Sequence, residues 1–72
     1  MTRQQQTRTA RGRQDGARWV LTVPNGELTA ERLAAELESV KAARLDAYHL
    51  EDHRSTAYYD GVLEALEAAR AC

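Results

Sequence analysis

Apolar residues occupy every second position in a single short segment, which ends at Pro24-Asn25-Gly26. One parity of this alternation consists of Trp19, Leu21 and Val23, and the other consists of Arg18, Val20 and Thr22. A period of two residues is typical of a β-strand with one apolar face and one mixed face. The pattern therefore predicts a short strand over residues 18–23, followed by a turn.

A strand needs a partner for its backbone hydrogen bonds, and the rest of the chain offers no second segment of this kind. The natural partner is the same segment of another copy. We therefore expect a homodimer in which two strands pair between subunits. A chain of 72 residues also has little core of its own, which favours association.

Helical periodicity follows the turn. Thr29 is a favourable N-cap, and apolar residues recur every three or four positions at Leu33, Leu37 and Val40. A second helix is predicted from about Thr56 to Ala71, with Tyr59, Val62 and Leu66 on its inner face. A hairpin with its connection near residues 49–55 is favoured over one uninterrupted helix, because the heptad series becomes polar after Val40. Gly61 marks either a close approach between helices or a break.

Charge divides the chain differently from hydropathy. Residues 1–18 hold five arginines and one aspartate, a net charge of +4, whereas residues 19–72 hold five basic and ten acidic residues, a net charge of −5. Residues 1–17 contain few apolar side chains, so we expect a disordered basic arm there and a strand-helix-helix domain over 18–72. The fold class predicted is mostly α with one N-terminal strand.

The order of arm, strand and two helices resembles the ribbon-helix-helix family of small dimeric DNA-binding regulators. The resemblance rests on the alternation that ends at Pro24, on Leu28, and on Arg54-Ser55 at the start of a helix that continues through Val62 and Leu66. It implies that the paired strands enter the major groove, with Arg18, Val20 and Thr22 facing the bases. It also implies that Ser55 and Thr56 present backbone amides to a phosphate.

Together, these features predict that the protein is a non-enzymatic, DNA-binding regulator. The residues expected to contact nucleic acid are Arg3, Arg8, Arg11, Arg13, Arg18, Val20, Thr22, Arg54, Ser55 and Thr56. The residues expected in the core or the dimer interface are Trp19, Leu21, Val23, Leu33, Leu37, Val40, Tyr59, Val62 and Leu66. The alternative function is a protein-binding inhibitor or adaptor, of the kind that phages and plasmids encode, with the acidic helical hairpin as its surface.

The sequence contains little that indicates a metal site or a catalytic site. His49 and His53 are four residues apart, as in some zinc sites, but the segment dictates no third ligand, so we expect no metal and no other cofactor. The chain has no glycine-rich phosphate loop and no nucleophile with a spaced base, so we expect no catalysis. A single cysteine, Cys72, and the absence of a long apolar run lead us to expect a cytoplasmic protein without a membrane partner.

Overall fold

Three helices build the protein in a computed structural model that describes residues 2–24 and 26–71. They are α1 (Arg3–Thr22), α2 (Ala30–His49) and α3 (His53–Ala71). No strand occurs in the described residues. The predicted fold class is therefore wrong: the disordered arm and the strand are replaced by one helix, and the predicted boundary between residues 17 and 18 falls inside it.

The segment predicted as a strand forms the last turns of α1. Trp19, Val20 and Val23 lie on one side of the helix, where Trp19 and Val20 pack against the core and Val23 is buried. Leu21 points away and is 84% exposed, so its assignment to the core is wrong. Positions 19, 20 and 23 share a face with a period of 3.6 residues but not with a period of two, and the helical face buries more apolar surface.

The backbone of the same segment is satisfied within the helix. The Val23 amide donates to the Trp19 carbonyl at 3.2 Å, and Val23 itself leaves the helix with φ −70° and ψ 127°. Pro24 imposes this ending, because proline disfavours helical geometry in the residue before it. The reason for pairing two strands between subunits therefore disappears.

α1 begins with a capping box at the residues that were expected to be disordered. The Thr2 hydroxyl accepts from the Gln5 amide at 3.2 Å, and the Gln5 side chain accepts from the Thr2 amide at 2.9 Å. Such a cap satisfies two of the amides that a helix start leaves free. Packing against α3 then stabilises a segment whose own composition is too polar to fold alone.

Small residues let α1 and α3 approach very closely. A Cβ atom placed on Gly61 would lie 1.9 Å from the carbonyl oxygen of Thr9, and one on Gly12 would lie 2.0 Å from the carbonyl oxygen of Tyr58. The buried Thr9 hydroxyl also lies 3.1 Å from the Ala57 carbonyl oxygen, to which it donates. Gly61 thus marks a close approach between helices and not a break. The pairs Thr9–Ala57 and Arg13–Glu64 show that the two helices run parallel.

α2 and α3 form an antiparallel hairpin in the segments where helices were predicted. The buried core consists of Leu33, Leu37, Val40 and Leu66, with Tyr59 and Val62 packed against it. An Arg44–Asp60 ion pair also joins the two helices. Among the described residues, no Cα of α1 lies within 8 Å of a Cα of α2, so α3 is the central helix and an open groove separates the other two.

Both connections place a residue in the left-handed region. Gly26 has φ +89° in the first turn, which agrees with the predicted turn, while Asn25 lies outside the described residues. Glu51 has φ 57° after α2, where the amides of Glu51 and Asp52 bond the carbonyls of Tyr48 and Ala47. These two bonds form a Schellman motif, in which glycine usually takes the left-handed position.

Within the described part of the chain, none of the helices is both long enough and apolar enough to cross a membrane.

Candidate nucleic-acid interface

Much of the face of α1 that points away from α3 is polar between Arg3 and Arg18. Five positions spaced three or four residues apart form the centre of this face, and two arginines flank them. The set, which we call the outer stripe, is Arg3, Gln4, Thr7, Arg8, Arg11, Gln14 and Arg18, all of them exposed. The stripe arises because Thr9, Gly12 and Gly16 are buried against α3, and the opposite side of the helix must then face solvent.

One further arginine joins the stripe from α3. Because α1 and α3 are parallel, their N-terminal ends lie at the same end of the molecule, and Arg54 comes beside Gln4. The Nη2 atom of Arg54 lies 3.4 Å from Oε1 of Gln4, to which it donates. An open cleft of about 570 Å³ lies at this end, lined by Arg3, Gln4, Thr7, Arg8, Arg11 and Arg54.

Few acids neutralise these guanidinium groups. Arg3, Arg8 and Arg18 form no ion pair with a carboxylate of residues 2–24 or 26–71. Arg11 has a partner in Asp15, but the separation of 3.8 Å and the 70% exposure of the arginine make it a weak one. The cleft therefore keeps a local positive charge on a chain whose net charge is −1.

The structure does not bring all the predicted contact residues together. Arg13 points toward α3 and pairs with Glu64 at 2.9 Å. Val20 packs against the core and is wrong as a base-reading residue. Thr22 is exposed, but its hydroxyl donates to the Trp19 carbonyl at 2.8 Å. Arg18 keeps its predicted exposure, on a helix and not on a strand.

The start of α3 does not offer the free amides that were predicted for phosphate binding. The Ser55 amide donates to the Asp52 carboxylate at 3.1 Å, and the Thr56 amide donates to the Asp52 carbonyl. The hydrogen bonds from Ser55 are the main cause of a pKa for Asp52 below its usual value. Asp52 thus already occupies the position that an anion would take, and Arg54 is the residue of this turn that points into the cleft.

Sequence reasoning missed the glutamines and the threonine of the outer stripe. Gln4, Thr7 and Gln14 recur with Arg11 at helical spacing, and this period was the available signal. The composition of residues 1–17 predicts a disordered tail, whereas the period of these polar positions predicts a helix with one polar face.

The structure separates the two histidines that were considered for a metal site. Within residues 2–24 and 26–71, His, Cys, Asp and Glu side chains form no group of three that could hold an ion. His49 ends α2 and His53 begins α3, so the helical spacing considered for this pair is interrupted by the connection.

The comparisons give no relative on which to rest an assignment: no family model, no curated protein and no solved structure matches this chain.

Proposed function

We propose that this protein binds duplex DNA with the outer stripe of α1. The observation that carries the proposal is the exposed row of arginine, glutamine and threonine side chains along one face of a helix whose other face is fixed to α3. Arginine and glutamine are the side chains that pair with guanine and adenine edges in the major groove. A ribbon of two strands has no part in this proposal.

The dimensions of α1 suit the major groove. From Gln4 to Arg18 the stripe extends about 21 Å along the helix axis, at 1.5 Å per residue. The major groove of B-DNA is about 12 Å wide and accepts an α-helix. Rigid attachment to α3 favours this use, because a helix that is already folded loses less conformational entropy when it binds.

Base contacts and phosphate contacts divide between the middle and the edge of the stripe. Arg11 and Gln14 lie in the middle row and are our candidates for base edges. Arg3, Arg8 and Arg54 line the cleft at the end of the helix and are our candidates for phosphates. Phosphate contacts release counterions, so affinity should fall as salt rises. We expect the protein to bind DNA in the cytoplasm and to catalyse no reaction.

The test is fluorescence anisotropy with a labelled duplex across a salt series, using the full chain. We expect Arg8→Gln/Arg11→Gln to weaken binding by about tenfold or more at low salt. The slope of log affinity against log salt should become shallower by about 0.9, since Arg8 is the phosphate contact that this variant loses.

The matched control is Arg32→Gln/Arg70→Gln, which removes the same charge from α2 and α3. These arginines are exposed and pair with Glu27 and Glu67, away from the cleft. We expect this double variant to bind within about twofold of the wild type. Equal losses in the two double variants, or an affinity insensitive to salt, would contradict the proposal.

A second candidate function is the binding of a protein partner, and one observation favours it. Leu45, Tyr48 and Leu50 are 53%, 62% and 79% exposed near the end of α2, with Asp46 and Glu51 beside them. Exposed apolar residues that lie together on a small protein are typical of interaction surfaces. Leu45→Ser/Tyr48→Ser should leave duplex binding unchanged and abolish retention of a partner from extract; unchanged retention would count against this surface.

A further inference from the structure

The groove between α1 and α2 has an aromatic lining. Trp19 enters it from α1, and Tyr58 and Tyr59 enter it from α3. The two tyrosine rings meet edge to face, with centroids 5.5 Å apart and an interplanar angle of 69°. Three ring systems thus border one space of about 230 Å³, which is smaller than the roughly 300–1,000 Å³ of sites for drug-sized ligands.

The separation of α1 from α2 leaves this space open between them. Gly16 lines the groove without a side chain, and a Cβ atom placed on it would lie 2.9 Å from the Cβ atom of Ala65 on α3. Val40 and Leu66 supply the apolar base of the groove. The occupant that fits this lining is a small molecule with an apolar surface.

Two carboxylates border the aromatic lining, and they differ in their partners. Asp15 accepts a hydrogen bond from the Tyr58 hydroxyl and also faces the Arg11 guanidinium. This hydrogen bond is the main cause of a pKa for Tyr58 above its usual value. The Asp15 carboxylate therefore already has two partners within the protein.

Glu36 lies on α2 and is the uncompensated carboxylate. It is half-buried, it lines the groove, and it forms no ion pair with the basic side chains of residues 2–24 and 26–71. A carboxylate near aromatic faces is the arrangement that attracts an organic cation, because ring faces and carboxylate are both negative toward it.

We propose that the groove between α1 and α2 is a binding site for a small organic cation, with the cation between the aromatic rings and the Glu36 carboxylate. The ligand class is a quaternary or alkylated ammonium compound with an apolar surface. The site is separate from the outer stripe, since α1 and α3 contribute different residues to the cleft and to the groove. The proposal therefore does not depend on DNA binding.

Trp19 provides the readout, because it is the only tryptophan of the chain and it lines the groove. The probe is choline, compared with its neutral isostere 3,3-dimethylbutan-1-ol and with sodium chloride at equal ionic strength. We expect a saturable change in Trp19 fluorescence with choline, and binding of the neutral alcohol at least about fivefold weaker. No saturable change with choline, or equal binding of the two isosteres, would overturn the proposal.

Variants then test the carboxylate. Glu36→Gln keeps the size of the side chain and removes its charge, and Glu38→Gln does the same at an exposed position two residues away. We expect Glu36→Gln to weaken choline binding about fivefold or more and Glu38→Gln to change it less than about twofold. Equal effects of the two substitutions would refute the role of Glu36. The comparison of the two isosteres uses the wild type and decides the matter even if a variant fails to fold.

Discussion

Gly61 lies in contact with α1, and the effect of Gly61→Ala on the free energy of unfolding depends on this contact. In an unpacked helix interior, Gly61→Ala would stabilise the protein by about 1 kcal/mol, because alanine is the better helix former. In this structure the new methyl group would lie 1.9 Å from the Thr9 carbonyl oxygen and 2.8 Å from the Arg13 amide nitrogen. Both are backbone atoms of a helix, which no change of side-chain rotamer can move aside.

The magnitude follows from the displacement that is needed. An ordinary contact of about 3.4 Å requires the methyl group and the Thr9 carbonyl to separate by about 1.5 Å, and overpacking of this kind typically costs about 1–3 kcal/mol or more. The displacement also breaks the bond from the Thr9 hydroxyl to Ala57. We therefore expect a net loss of about 1–3 kcal/mol in the free energy of unfolding, because the lost hydrogen bond, worth about 1 kcal/mol, offsets the gain in helix propensity.

Urea denaturation followed by circular dichroism measures this difference. Ser39→Ala is the matched control, since Ser39 is exposed in the middle of α2 and the change affects propensity alone; it should stabilise slightly. A loss of about 1 kcal/mol in a domain of this size lowers Tm by about 4–8 °C. If Gly61→Ala were as stabilising as Ser39→Ala, α1 could not be packed on α3 in the way that the structure shows.

Three further predictions concern the connections and the surface. Glu51→Gly should raise the free energy of unfolding by about 1 kcal/mol in urea denaturation, because glycine adopts the left-handed position without a steric cost; unchanged or lower stability would argue against that conformation. Leu21→Lys should change stability by less than about 0.5 kcal/mol in the same assay, whereas a large loss would place Leu21 in the core. The raised pKa of Tyr58 stabilises the fold below the unfolded pKa of 10.0, and this contribution should be lost as pH rises through the folded value. Melting curves at alkaline pH should show a shallower decline for Tyr58→Phe than for the wild type, and an identical decline would exclude this contribution.

The helical hairpin was accessible from the sequence, and the N-terminal third was not. Leu33, Leu37 and Val40 repeat at helical spacing, and the structure buries them together. For residues 18–23, a period of two and a period of 3.6 both fit so short a segment. Only tertiary packing decides between them. In a helix Val20 packs against the core beside Trp19, whereas in a strand the two side chains would lie on opposite faces.

The end of α2 and the start of α1 are two other features of the fold that could not be predicted from the sequence. No glycine marks the end of α2, because Glu51 adopts the left-handed conformation in its place. Composition predicts disorder for residues 1–17, because it contains no information on the close contact of two backbones that Gly12 and Gly61 allow. Close approach depends on two glycines 49 positions apart in the chain, and no local window contains both.

The stripe and the groove differ in how far the sequence indicated them. Arg3, Arg8 and Arg11 were expected to contact nucleic acid from their charge alone, and Arg54 was placed with them through the family resemblance. No sequence pattern distinguishes Glu36 from the other acids, since an acid on a helix normally faces solvent. Its position beside Trp19 and Tyr59 follows from the order of the three helices and not from any motif.

Nuclear Overhauser effects across the interface between α1 and α3 would establish whether the two helices are packed together. We expect cross-peaks from the α protons of Gly61 to protons of residues 9–13, together with helical chemical shifts throughout residues 3–22. Random-coil shifts for residues 3–17, extended shifts for 18–23 and no cross-peaks to Gly61 would contradict this packing.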